Sequence, residues 1–146
     1  MRDIRLALPI GLAIVALAAV GCGDAGDERS AETSTADLPK LVATVGSSDD
    51  PDAYEIKLTT DDGSEVTTTL PPGEYRLEIN DLSTIHNFHL GGPRAAVDVA
   101  TDVAATGVKT AIVLLQEPES YIYVCDAHPA RMSVTFSIHG RIRTQN

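Results

Sequence analysis

The sequence predicts an all-β fold, a sandwich of seven or eight short strands. Two observations predict it. Between residues 39 and 146 short segments alternate apolar and polar side chains, the period of a strand packed on one face. Those segments are separated by compact turn signals rich in Pro, Gly and Asp, and little of the region carries a helical period. With 4% aromatic residues and no Trp, the core is expected to rest on Val, Ile, Leu and Ala.

The first 21 residues stand apart from that domain. Arg2 and Arg5 give a short basic start, diluted by Asp3, and residues 6–20 are almost wholly apolar apart from the breaks at Pro9 and Gly11. This is the layout of a secretory signal, and it is short for a membrane-spanning helix, which needs about 20 apolar residues. The sequence Ala19-Val20-Gly21-Cys22 that ends it resembles the lipobox of bacterial lipoproteins, with Ala19 where Leu is more usual. That resemblance implies cleavage before Cys22, lipid on Cys22, and a chain exported and anchored on the extracytoplasmic side of a membrane. An ordinary signal peptide with an incidental Cys22 is the alternative. Residues 22–38 then read as a tether: small and acidic, without aromatic or large aliphatic side chains until Leu38, and so solvated and extended.

The domain expected over residues 39–146 unfolds in order. Residues 41–45 are apolar and β-branched, and residues 54–59 alternate. Asp61-Asp62-Gly63 is a turn, and residues 65–70, rich in Thr and Val, are expected to return as the second arm of a hairpin. Pro71-Pro72-Gly73 turns the chain into a clean alternation over residues 75–79. Residues 86–90 form the next strand, closed by Gly91-Gly92-Pro93. Residues 94–108 allow a short helix or an irregular excursion. Residues 110–116 are a fully apolar strand candidate, Glu117-Pro118-Glu119-Ser120 is a turn, and residues 121–125 and 132–138 are the last two strands.

Candidate functional residues cluster near the end of the chain. The loop Cys125-Asp126-Ala127-His128-Pro129-Ala130-Arg131-Met132 offers a thiol, an imidazole and a thioether at the spacing Cys-x2-His-x3-Met. Strand phase selects a partner upstream. In Ile85-His86-Asn87-Phe88-His89-Leu90, His86 shares a face with Phe88 and Leu90 and should point inward, while Asn87 and His89 should face out. Cys125 shares its face with Tyr121 and Tyr123, and Met132 with Val134, Phe136 and Ile138. One thiolate, two imidazoles and a weak axial thioether suit a blue copper centre. Taken singly, each residue has a plainer role: Met132 as core, Cys125 as an inert buried thiol, His89 and His139 as structural or solvated side chains. If Cys22 is lipidated, Cys125 is the last unpaired thiol in an oxidising compartment, which metal ligation, an intermolecular disulfide or burial would explain.

The segments Ser83-Thr84-Ile85-His86-Asn87-Phe88 and Tyr123-Val124-Cys125-Asp126-Ala127-His128-Pro129 resemble the two ligand segments of the cupredoxins, specifically the plastocyanin, pseudoazurin and amicyanin branch. The resemblance implies an eight-stranded Greek-key sandwich with one copper ion, Cu(I)/Cu(II), at one end. It implies His86, Cys125, His128 and Met132 as ligands, and Asn87 as a hydrogen-bonding tie between the two ligand segments. The chain departs from the family pattern in three places. The His-to-Met gap of three residues lies between amicyanin and plastocyanin, Ser133-Val134 replaces the usual Lys-Gly, and Val124 stands where plastocyanin has a surface tyrosine.

Charge narrows the partners. The chain carries a formal −10, and removal of residues 1–21 takes away two arginines and one aspartate, leaving −11. Such a chain repels nucleic acid and favours a basic partner surface. No acid/base pair or substrate pocket is legible, so the expectation is a monomeric carrier of single electrons between redox proteins rather than an enzyme. A copper-storing or copper-delivering protein, and a metal-free cell-surface interaction module, are the alternatives on the same fold.

Overall fold

A computed structural model describes residues 35–140. The signal segment, Cys22, most of the tether and the last six residues of the expected domain lie outside the described residues. The described chain is a two-sheet β-sandwich of nine strands: β1 Lys40–Val45, β2 Ile56–Thr60, β3 Thr69–Leu70, β4 Gly73–Asp81, β5 His89–Gly91, β6 Asp98–Ala100, β7 Gly107–Leu115, β8 Ser120–Val124 and β9 Ser133–Ile138. One sheet runs β2-β1-β4-β7 and the other β3-β9-β8-β5-β6. The pairs β1–β4 and β3–β9 are parallel and the rest antiparallel. A single 3-10 turn, Pro93–Ala95, is the only helical element among the described residues, and none of their helices is long and apolar enough to cross a membrane.

Alternation along the strands builds the core. β1 buries Leu41, Ala43 and Val45, and β4 buries Tyr75, Leu77 and Ile79. From the second sheet come Leu90, Tyr121, Tyr123, Phe136 and Ile138, in one continuous cluster with Phe88, Cys125 and Met132. Each fully buried aliphatic or aromatic side chain contributes about 1.5–3 kcal/mol. The core leans on aromatics more than the composition suggests. Of the four Tyr and two Phe, only Tyr54 stays exposed. Phe88 stacks on Tyr123 at 6.0 Å between ring centroids, and Tyr121 stacks on Phe136 at 5.9 Å. The buried phenols are satisfied: Tyr75 donates to the Pro71 carbonyl at 2.8 Å and Tyr123 to the Val66 carbonyl at 3.0 Å. Burial, with the Glu65 charge added, pushes the Tyr123 phenol up to about 12, so it remains a donor.

Four expectations change. The hairpin over residues 54–70 shrinks to one bridge, Thr59 opposite Glu65, because the chain then crosses to the other sheet. There Val66 and Leu70 bury in the core, and Thr68 and Leu70 accept from the amides of Ser137 and His139 at 2.9 and 3.0 Å. Residues 94–108 hold more than a short helix or an irregular excursion: the 3-10 turn ends in them, and β6 follows, its three residues too short to show a period. The strand expected over residues 110–116 is β7, which starts earlier, at Gly107, and buries only one face despite its apolar run. It is a sheet edge, and Val108, Ile112 and Leu114 on its outer face are exposed. Finally, Asn87 is buried rather than outward, because residues 86–88 precede β5 and do not follow the strand alternation.

The turn after β1 depends on one glycine. Gly46 has φ +75°, and a Cβ there would lie 2.1 Å from the Pro51 carbonyl oxygen. Its amide donates to the Glu55 carbonyl at 2.9 Å, closing the loop that carries residues 47–54. Gly46→Ala is expected to cost about 2–4 kcal/mol, the sum of a left-handed backbone and an overpacked contact. Urea unfolding of the two chains measures it, and a loss below about 1 kcal/mol would show that the loop relaxes around the methyl.

Candidate metal centre

The loop between β4 and β5 presents His86 at one end of the sandwich, with no exposed surface. Ser83 shapes that loop. Its Oγ accepts from the amides of Ile85 and His86 at 3.1 and 3.2 Å and donates to Asp52 Oδ1 at 3.0 Å. The Asp52 main-chain carbonyl lies 3.1 Å from His86 Nε2. A carbonyl only accepts, so Nε2 carries the proton, and in a neutral ring that leaves the Nδ1 lone pair for a metal. Holding the remote ring nitrogen on a carbonyl is how proteins orient a ligating imidazole.

The second segment leaves β8 and returns to β9 in a tight loop. His128 N donates to the Cys125 carbonyl at 3.0 Å, Met132 N to the His128 carbonyl at 3.0 Å, and Cys125 N to the Met132 carbonyl at 2.9 Å. These bonds turn the Cys125 thiol inward, fully buried, and bring the half-buried His128 above it.

Three ligand atoms converge. His86 Nδ1 lies 2.9 Å from His128 Nδ1, and Cys125 Sγ lies 3.7 Å from the first and 3.8 Å from the second. A point equidistant from the three corners of that triangle is about 2.0 Å from each, which matches a metal–imidazole distance and falls about 0.3 Å short of a metal–thiolate one. A soft thiolate with two imidazoles suits copper or zinc and excludes the hard oxygen-seeking cations. Among the described residues this trio is the one group of metal-ligating side chains so arranged, and Cys125 is the free cysteine. Met132 directly follows the loop and is buried in the core beside Cys125, 1% exposed.

Sequence reasoning missed the cover of this site. Tyr54 packs edge-on against both imidazoles, with centroids 4.8 Å from His86 and 5.0 Å from His128. The Arg131 guanidinium sits 3.7 Å from the Tyr54 ring centroid, a cation–π contact. Tyr54 and Arg131 thus cover part of the two imidazoles. Asp52 was missed for a different reason. Its carbonyl belongs to the backbone, and no residue type signals it.

Asn87 joins the two ligand segments. Its Oδ1 accepts from the Asp126 amide at 2.8 Å, and its Nδ2 donates to Asp126 Oδ2 at 2.8 Å and to the Thr101 carbonyl at 3.2 Å. Thr101 continues the network, its hydroxyl accepting from the Phe88 amide at 2.9 Å and donating to the buried Asp81 carboxylate. Burial raises the Asp81 carboxyl above its ordinary range, against the hydrogen bonds from Thr101 and Ser83 and the nearby His86. The remaining histidines stand outside the trio. His89 is paired with Asp126 and Asp98, and His139 faces Glu117 at 3.6 Å on the surface.

No protein-family model matches the chain, and no curated protein matches it. Among solved structures it is similar to reduced rusticyanin, at 15% identity and a TM-score of 0.47 over 68% of this chain and 78% of that one. It is also similar to dithionite-reduced auracyanin from the photosynthetic bacterium Roseiflexus castenholzii, at 16% identity and a TM-score of 0.41 over 69% of this chain and 95% of that one. At these values the likeness assigns no function.

Proposed function

We propose that this chain is a type 1 copper protein of the cupredoxin kind, carrying single electrons between redox proteins rather than catalysing a reaction. The observation that supports it is the convergence of His86 Nδ1, Cys125 Sγ and His128 Nδ1 at one end of the sandwich, within 3.8 Å of one another. His86, Cys125 and His128 would hold the ion, and Met132 is proposed as a fourth ligand. Copper, when bound there, supplies one-electron exchange.

The chain's own residues do the rest. The Asp52 carbonyl keeps His86 in one tautomer, and the Asn87–Asp126 bonds fix the ligand loop against the His86 segment. Tyr54 and Arg131 pack over the imidazoles and limit their movement. A site held this firmly changes little between oxidation states, which favours fast electron transfer. Export, attachment through lipid on Cys22, a monomeric state and redox partners with a basic surface belong to the same proposal.

One equivalent of Cu(II) added to the purified chain should give an intense visible band from thiolate-to-copper charge transfer. A folded chain that stays colourless overturns the reading. A coloured chain that yields Cu(I) to a chelator faster than it exchanges electrons with a redox protein is a copper-delivery protein instead.

A further inference from the structure

His89 sits in β5, between β8 and β6, opposite Val124 on one side and Ala100 on the other. Its ring is engaged at both nitrogens. Nδ1 lies 2.9 and 3.1 Å from the two oxygens of Asp126, and Nε2 lies 2.9 Å from Asp98 Oδ1. Carboxylates only accept, so both contacts are hydrogen bonds only when both ring nitrogens carry protons, that is, when the imidazole is charged. Asp126 immediately follows Cys125, and its remaining contacts run to Asn87.

We propose that His89 is a positioning residue for the metal centre: clamped between Asp98 and Asp126, it fixes the Asp126–Asn87 bridge that joins the His86 segment to Cys125. The proposal rests on the metal-centre reading only for its last readout. Three elements meet at this imidazole, β5, β6 through Asp98, and the ligand loop through Asp126. Those two carboxylates are the charged groups within ion-pair distance of it among the described residues. The Lys109 ammonium is held nearby on the Ala100 carbonyl, opposite His89 in the β5–β6 register.

The clamp is pH-dependent by construction. Burial opposes charging of His89, but Asp126 and Asp98 outweigh it and raise its pKa above the ordinary histidine value. A raised folded-state pKa stabilises the protein fully below about 6.5, the unfolded value, and that contribution disappears as pH rises through the folded value. Above it a neutral ring donates through one nitrogen only, and one of the two carboxylates loses His89 as a donor. His89 is part-exposed, so the effect is small: up to about fivefold in local opening, the range of an exposed ion pair.

The experiment uses the metal-free full chain and follows side-chain and amide resonances by NMR as pH is raised. The Asn87 side-chain amide and the Asp126 amide should shift with the midpoint of the His89 ring, and that midpoint should lie above 6.5. Asp98→Asn should lower the midpoint. His89→Gln should abolish the coupled shift and raise hydrogen exchange at the Asp126 amide up to about fivefold, with β1 and β4 unchanged. In the Cu(II)-loaded chain the thiolate band should move with the same midpoint, and not in His89→Gln. A His89 ring that titrates while Asn87 and Asp126 stay still overturns the proposal, as does unchanged Asp126 exchange in His89→Gln. Should the Gln variant fail to fold, the wild-type titration and Asp98→Asn still decide. If the copper band is missing at every pH, the function proposed above fails and the metal-free arms still test the clamp.

Discussion

Cys125→Ser is expected to remove the intense visible band of the Cu(II)-loaded chain and to weaken copper binding by more than about 100-fold. Disturbing a group that merely supports a ligand costs about 10–100-fold in affinity, and this change would delete the thiolate of the proposed ligand set itself. The hydroxyl that replaces the thiol is buried, and an unpartnered buried hydroxyl costs about 1–3 kcal/mol. Here the cost should fall at the low end, because two imidazole nitrogens lie 3.7 and 3.8 Å from the sulfur and are within reach after small adjustment. The variant therefore separates folding from metal binding. Competition with a chelator measures the affinity, and circular dichroism during heating measures the fold. Retention of copper at wild-type affinity would place the metal elsewhere.

The second large effect is on stability. Phe88→Ala should destabilise the domain by about 3–5 kcal/mol, the cost of emptying a buried aromatic site. Phe88 is fully buried and stacks on Tyr123, and its amide is tied to Thr101. It lies between Asn87 and His89, so the void opens directly behind the segment that carries His86. Urea unfolding should show a lower midpoint with an unchanged slope. A loss below about 1 kcal/mol would mean that the core collapses into the space and that Phe88 does not hold the segment.

Strand alternation in the sequence was enough to anticipate most of the sandwich. Residues 75–79 and 132–138 alternate in sequence because one face of each is buried, and residues 41–45 and 121–125, apolar almost throughout, alternate in burial alone. The same logic put His86 inward, where it is buried, and His89 outward, where it is half-buried. It misplaced Asn87, because it assumed a strand where the backbone is held by side-chain bonds from Ser83 and Thr101. It missed the sheet change between β2 and β3, since alternation records that a face is buried but not which sheet it joins. Tyr54 looked like the first residue of a strand. Its role arises from packing against His86 and His128, far away in the chain, which no local pattern contains.

The assembly of the trio also dictates when a metal can be captured. His86 and His128 lie 42 positions apart, and the Asp52 carbonyl that aligns His86 lies another 34 positions upstream. The triangle exists only after the two sheets have closed and the final loop has been laid down. An ion bound to all three corners would therefore add its binding free energy to the native state alone, by mass action.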